Sequence, residues 1–335
     1  MTDSTRLDIA AATDLAARAL MANRTAPKVA QRVAQALVAA EVDGQGGHGL
    51  SRVPSYSAQT RSGKVDGFAE PVATKLSAAA VRIDAALGFA YPAMDLAIDE
   101  VAALAQDQAI AVAAVHRSHH VGQVGAHCER LAARGLVALM LGNAPKAIAP
   151  WGGNKPRLGT NPIAFAAPMT GGPPLVIDLA LSKVARGKVM AAQKAGTTIP
   201  EGWALDPDGN PTTDPDAALA GTMIPIGDAK GAALAMMVEI LAACMVGSNL
   251  SFEATSLFHG DGEPPNLGQL LIAFNPDTLS GGAFAGRLTG LVAVYAEDGA
   301  RLPGTRRIAM REKGAAEGIL VPQHLFDEIS ALADR

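Results

Sequence analysis

The six residues GQGGHG, Gly44 to Gly49, carry glycine at the first, third and sixth places. The spacing is G-x-G-x-x-G, and its reading decides between a doubly wound parallel sheet and a different architecture. A dinucleotide loop leaves a strand, opens a helix and is followed roughly 20 residues later by an acid that holds the ribose. Here the preceding segment, APKVAQRVAQALVAAEV (26–42), is apolar at Val29, Val33, Leu37 and Val38, a helical stripe. Thr25 is a candidate cap for that helix, and Pro27 falls in its first turn. The following segment, LSRVPSYSAQTRSGKV, contains Pro54, shows no clean amphipathic period and ends in a polar turn. Glu70 stands near the required distance, but one acid at a loose spacing decides nothing. The glycines therefore read as a turn that redirects the chain after a helix.

Outward from this turn the elements alternate irregularly. VRID (81–84) reads as a short strand and YPAMDLAIDEVAALAQDQ (91–108) as a helix. AIAVAAV (109–115), LVALMLGN (136–143), IAFAAP (163–168), PLVIDLA (174–180) and GQLLIAFNP (268–276) read as strands. GQVGAHCERLAARG (122–135) reads as a helix stopped at Gly135, and a helical run extends from Ser182 to about Lys194. PWGGNKPRLGTNP (150–162) and IPEGWALDPDGNPTTDPDAALAG (199–221) are polar, proline-rich stretches. GAALAMMVEILAACMVG (231–247) is nearly all apolar and is expected to be deeply buried, with Asp228 as N-cap and Met236, Met237 and Met245 in the core. LTGLVAVYAEDG (288–299) and HLFDEISALA (324–333) complete the helices. Without a steady βαβ rhythm, the expected class is α+β with a mixed sheet.

Composition narrows the function. The 335 residues are 49% hydrophobic and 18% charged, with a net charge of −4, so no basic excess points to nucleic acid. Only 4% are aromatic, which argues against base-stacking platforms. The N-terminus carries acids and no continuous apolar run, so neither a signal peptide nor a membrane span is expected. The cysteines, Cys128 and Cys244, are isolated, the pattern of reduced thiols in a cytoplasmic protein.

His48 and Arg52 stand four apart, so a helical turn places both on one face. Imidazole can give a proton to a carbonyl oxygen or imine nitrogen, and guanidinium can hold a carboxylate through two parallel hydrogen bonds. The pair has the parts for orienting a 2-oxo acid, although on the pattern alone a polar surface turn fits better. His116, His119, His120 and His127 cluster in sequence, but no carboxylate or cysteine set at ligand spacing accompanies them, and no metal is expected. Cys128 has no adjacent nucleophile motif and reads as packing.

HRSHHVG (116–122) and PWGGNKPRLGTNPIAFAAP (150–168) make the sequence specific. It resembles the malate/L-lactate dehydrogenase superfamily that is unrelated to the Rossmann lactate dehydrogenases. That group includes sulfolactate and ureidoglycolate dehydrogenases, 2,3-diketogulonate reductase and the Δ1-piperideine-2-carboxylate/Δ1-pyrroline-2-carboxylate reductases. HGLSRVPSY, VIDLALSKVARGK, WALDPDGNPTTDP, GDAKG and RLPGTRR extend the likeness in order along nearly the whole chain. The resemblance implies a non-Rossmann NAD(P)-binding fold: a predominantly antiparallel mixed sheet flanked by helices, plus a helical domain. On this basis residues 1–75 with 305–335 form the helical domain, and 76–304 the mixed-sheet cofactor and substrate region. It also implies a homodimer with active sites near the subunit interface.

Carried over by position, the resemblance makes His48 the proton donor and Arg52, Thr160, Arg186 and Gly187 the substrate contacts. His120, Val121, Gly122, Gln123 and Val124, then Asp178, Leu179 and Ala180, then Lys230, then Gly304, Arg306 and Arg307 correspond to cofactor positions. The late arginines suit phosphates and favour NADP over NAD. The departures are specific. Gly47 stands where the family usually has serine, and Lys188 where the imine reductases have an aspartate proposed to work in relay with the serine–histidine pair. GDAKG replaces the commoner GG-x-KG. Arg186 and Lys188 instead add positive charge, as a substrate with a second anionic group requires. The expected activity is interconversion of a small anionic 2-oxo acid and its 2-hydroxy acid. A cyclic imino acid reductase is the alternative, and a non-catalytic cofactor or metabolite binder is a reading of another class.

Overall fold

The computed structural model describes residues 4–335. Strand β1 (Ser4–Leu7) leads into helix α1 (Ile9–Ala22), whose first turn is capped by Asp8, its carboxylate accepting the Ala11 N–H at 2.7 Å. Helix α2 (Pro27–Val42) begins with proline, where the missing N–H costs nothing; Ala26 rather than Thr25 holds the N-cap position. Leu15, Leu20, Val33, Leu37 and Val38 bury one face of each helix against Val53 and Tyr56 of α3 (Val53–Ser62). The far end of the chain returns to the same core: β12 (Ile319–Pro322) pairs antiparallel with β1, and α12 (Gln323–Ala333) contributes Ile329 and Leu332.

The main sheet has seven strands: β2 (Val72–Lys75), β3 (Ala80–Asp84), β4 (Ile110–Ser118), β5 (Val137–Gly142), β6 (Ile163–Ala167), β7 (Leu175–Leu179) and β11 (Leu267–Phe274). Their order is β2-β3-β4-β11-β5-β6-β7. The β3–β4 pair is parallel and every other pair antiparallel, because only there does a helix, α4 (Ala90–Gln108), supply the crossover that parallel neighbours require. Helices α4 and α5 (Val124–Ala132) cover one face, burying Met94, Ile98, Val101, Cys128 and Leu131 against Ile83, Val115 and Met140. The other face meets α8 (Ala229–Glu239) and a wide turn of π helix (Ile240–Cys244), through Ala235, Val238 and Ala242 against Leu141 and Leu270.

The polar segment 199–221 forms a small lobe with helix α6 (Arg186–Ala195), helix α7 (Pro215–Ala220) and a three-stranded sheet. That sheet comprises β8 (Ala204–Leu205), β9 (Pro211–Thr212) and β10 (Thr222–Met223), over a core of Ile148, Val189, Ile199 and Met223. Helices α9 (Pro276–Ser280), α10 (Phe284–Glu297) and α11 (Thr305–Glu317) join the sheet to β12.

One expectation is overturned. Residues 231–247 are not deeply buried: Met236, Met237, Ile240 and Met245 are 59, 40, 48 and 58% exposed. A uniformly apolar sequence has no period from which to read its buried face, and the sheet covers one side only. Asp228 does precede α8, but its carboxylate caps nothing. Helices α1, α3 and α11 were not readable from pattern. No helix among the described residues is long and apolar enough to cross a membrane.

Candidate active site

After α2 the chain turns at Gly44, where φ is +75°, and passes through two short 3₁₀ turns, Gly46–His48 and Leu50–Arg52, directly into α3. Glu41 braces this path: its carboxylate accepts the Leu50 N–H at 2.9 Å. A Cβ at Gly49 would overlap the Glu41 carboxylate and press on the Glu41 Cα, so a side chain there would displace this brace. Burial raises the Glu41 pKa, and the Leu50 bond opposes the rise. Gly47 faces open space. Its carbonyl accepts from Arg52 Nε at 2.7 Å, which ties the two turns together.

His48 is oriented by another histidine. His48 Nδ1 lies 3.1 Å from His120 Nε2, and the rings stack with centroids 5.1 Å apart. The chain of contacts continues inward, from His120 Nδ1 to Tyr56 Oη at 2.6 Å and from Tyr56 Oη to Tyr91 Oη at 3.4 Å. His119 is buried alongside, with Nε2 2.8 Å from Gln59 Oε1. Burial pushes His48 down to about 4, helped by the Arg52 charge. Burial and Arg52 likewise take His119 to about 3 and hold His120 well below the usual imidazole range. The cluster is therefore neutral at pH 7.

Arg52 completes the centre. Its guanidinium lies over the Phe258 ring, 4.5 Å from the centroid, and its Nη1 is buried without a hydrogen-bond partner. Buried donors are normally satisfied, so this one marks a place for an acceptor from outside the chain.

The cofactor candidates gather where three elements meet. Val121, Gly122 and Gln123 lie between β4 and α5, Val124 opens α5, and Gln123 Oε1 is buried and unpartnered. A Cβ on Gly122 (φ +71°) would strike the Tyr91 hydroxyl, so this loop is fitted against the histidine relay. Asp178, at the end of β7, accepts the Gly125 N–H of α5 at 2.8 Å; burial raises its pKa, with that bond and Arg307 opposing. Leu179 is 48% exposed and Ala180 half-buried beside it. Gly304 (φ +84°) caps α11 against the Val176 carbonyl, and Arg306 is exposed on the first turn. Arg307 turns inward, 3.1 Å from Glu129, and with Arg311 forms a buried network with Asp43 and Glu129.

The remaining candidates come from other elements. Lys230 is exposed on the first turn of α8. The Thr160 carbonyl accepts the Leu181 N–H, and neighbouring Asn161 (φ +36°) donates to Glu239 at 2.7 Å. Arg186 donates to the Leu219 carbonyl at 3.0 Å, while Gly187 and Lys188 are exposed. No hydrogen bond joins these residues to His48 or Arg52. Sequence reasoning missed Glu41, Tyr56, Gln59, Tyr91, Glu239 and Phe258. Only Tyr56 carried a signal, one further turn along the helical face shared by His48 and Arg52. No group of three side chains able to hold a metal occurs among the described residues.

Residues 7–330 match the malate/L-lactate dehydrogenase family. The chain is 51% identical over 305 residues to the (2R)-3-sulfolactate dehydrogenase (NADP(+)) of Chromohalobacter salexigens, covering 91% of each. It is 41% identical over 322 residues to a Δ1-pyrroline-2-carboxylate/Δ1-piperideine-2-carboxylate reductase of Pseudomonas syringae pv. tomato, covering 96% of this chain and 94% of that protein. The crystal structure of Δ1-piperideine-2-carboxylate reductase from the same organism superposes with a TM-score of 0.92 at 40% identity, covering 98% of this chain and 99% of that one.

Proposed function

The chain belongs to the malate/L-lactate dehydrogenase family, and on that premise we propose that it is an NADP-dependent oxidoreductase interconverting a small 2-oxo acid and its 2-hydroxy acid. The observation that carries this reading is the pairing of a buried, unpartnered Arg52 Nη1 with a neutral His48 whose Nδ1 is already engaged by His120. Arg52 holds the substrate carboxylate, fixing the orientation of the neighbouring carbonyl. With His48 Nδ1–H donating to His120 Nε2, and the His120 Nδ1–H donating to Tyr56 Oη, the His48 Nε2 lone pair faces the substrate oxygen. In oxidation that nitrogen takes the hydroxyl proton and His48 becomes an imidazolium; in reduction His48, protonated from solvent, gives the Nε2 proton to the oxygen and returns to the neutral ring. Tyr56, His120 and Tyr91 thus supply the orientation that a serine at position 47 gives other family members.

The residues suit NADP. Gln123 Oε1 is an unsatisfied buried acceptor at the β4–α5 loop, and the start of α11 has no side-chain cap and carries the exposed Arg306, a cation suited to phosphate. When bound, NADPH supplies the hydride. The seven-stranded sheet would hold it without a glycine loop, with Asp178, Leu179, Ala180, Gly304 and Arg307 shaping the site. Arg186 and Lys188 provide positive charge for a second anionic group, as in sulfopyruvate. A relative named for sulfolactate supports that substrate. Reduction of a cyclic imino acid is the second reading, favoured by the high structural similarity to an imine reductase. Gly47 and Lys188 weigh against it.

A homodimer belongs to the same proposal. Helix α10 buries none of its residues and exposes Leu291, Val294 and Tyr295, and α8 exposes Leu234, Met236 and Met237, apolar surface that a second copy would cover. The activity test is NADPH oxidation with sulfopyruvate, oxaloacetate, pyruvate and Δ1-pyrroline-2-carboxylate in parallel. Turnover of a 2-oxo acid is expected; strong turnover confined to the cyclic imine overturns the first reading.

A further inference from the structure

Between the π turn and β11 the chain passes over α3 through residues 256–261, and Gln59 and Ser62 of α3, with Lys64 two residues past its end, grip this passage. Gln59 Nε2 donates to the Leu257 carbonyl at 3.0 Å, and Ser62 Oγ donates to the Gly260 carbonyl. The buried Lys64 ammonium donates to three carbonyls, of Ser256 at 2.7 Å, His259 at 3.1 Å and Asp261 at 2.8 Å. Three donors is all an ammonium group has, so Lys64 is saturated by backbone. A Cβ on Gly260 would collide with the Ala58 backbone, which shows how closely the loop is seated. This much fastening holds one side chain over the site: Phe258, with the Arg52 guanidinium 4.5 Å from its ring centroid.

We propose that Phe258, held by Gln59, Ser62 and Lys64, is the positioning residue that sets Arg52 to receive the substrate carboxylate. The proposal rests on the reading of Arg52 given above. A guanidinium stacked on a ring keeps its edge free for coplanar, bidentate contact while its face is shielded from water. Nε is committed to the Gly47 carbonyl, and stacking fixes the remaining rotation, leaving Nη1 directed at an acceptor. The ring binds nothing itself; it reduces the freedom Arg52 would otherwise lose on binding. Because Lys64 and Gln59 follow Arg52 on the same continuous stretch, one segment carries both the anchor and the grip on its cover.

The test compares Phe258→Leu, Phe258→Ala and Phe258→Tyr with the parent, reading KM and kcat for whichever 2-oxo acid the parent reduces. Oxalate binding to the NADPH-loaded protein is measured by calorimetry, and NADPH affinity separately. Phe258→Leu keeps the volume and removes the ring, so it separates stacking from simple filling if the alanine variant fails to fold. The expected result for Phe258→Leu is a rise of ~10-fold in KM and in the oxalate Kd, the scale of a desolvated cation–π contact, with kcat and NADPH affinity near the parent. Phe258→Tyr should restore both constants to within about twofold. Leucine behaving like the parent overturns the proposal, as does a loss in kcat alone. A parent that reduces no 2-oxo acid yet binds oxalate in a Phe258-dependent way refutes the functional reading and leaves this one standing. A parent that binds no oxalate refutes this one.

Discussion

At the scale of single residues, the centre is a neutral imidazole next to a permanent cation. Replacing His48 with Asn should lower kcat by about 10²–10⁴-fold while leaving NADPH affinity unchanged, since the loss is of proton transfer. Tyr56→Phe removes the hydroxyl that fixes His120, and should cost ~1 kcal/mol of transition-state stabilisation, about a fivefold drop in kcat/KM. The pH profile is more telling. On the proposed mechanism His48 is the base in oxidation of the hydroxy acid and must be unprotonated in the free enzyme. Its pKa is depressed to about 4, by burial first and Arg52 second, so kcat/KM should hold through pH 6.5 and fall only as pH approaches 4. Arg52→Gln should move that fall upward. How much of this was legible differs by residue. His48 and Arg52 were singled out because a helical spacing and a family motif coincide on them. His120 was assigned to the cofactor, and its contact with His48 was invisible: a separation of 72 positions leaves no periodic trace. Phe258 and Glu41 act through packing and a backbone bond, which residue type alone does not announce.

At the scale of elements, the turn that carries His48 and Arg52 is held between α2, α5 and α11. Arg311 bonds both Asp43, at the end of α2, and Glu129 on α5, and the Asp43 side chain is 1% exposed. Removing the cation leaves a buried carboxylate with only Arg307, 3.8 Å away, to compensate. Arg311→Ala should therefore destabilise by ~3 kcal/mol, measured from the denaturant midpoint, a larger loss than any exposed pair would give. Its coupling to function should appear as weaker NADPH binding, because α11 also carries Gly304 and Arg306. The strands of the main sheet were readable from short apolar runs. Helix α8 was recognised and its burial misjudged, because every position from Gly231 to Val238 is apolar or small. Helix α3 was missed because its buried face is largely polar or aromatic: Tyr56, Ser57, Gln59 and Thr60 are buried on it beside Val53.

For the whole molecule, acid stability follows from the same histidines. His48, His119 and His127 are lowered to about 4, 3 and 4, each by burial first, and His120 falls well below its ordinary value. The unfolded chain binds these protons before the folded one does. Stability is thus fully present above about pH 6.5 and is lost as pH falls toward 4, at ~1.4 kcal/mol per pH unit for each histidine. Unfolding midpoints between pH 7 and 4.5 should show this slope, and a flat profile contradicts it. The exposed faces of α8 and α10 should make the protein sediment as a dimer, and charged substitutions at Leu291 and Val294 should yield monomers. The central claim is that His48 and Arg52 direct NADPH-dependent reduction of a 2-oxo acid. Its most direct test follows deuterium from C4-labelled NADPH into product with sulfopyruvate, for the parent and His48→Asn. The expected result is a 2-hydroxy acid labelled at C2, formed at least about 100-fold more slowly by the variant. An unlabelled product, or a variant as fast as the parent, contradicts the claim.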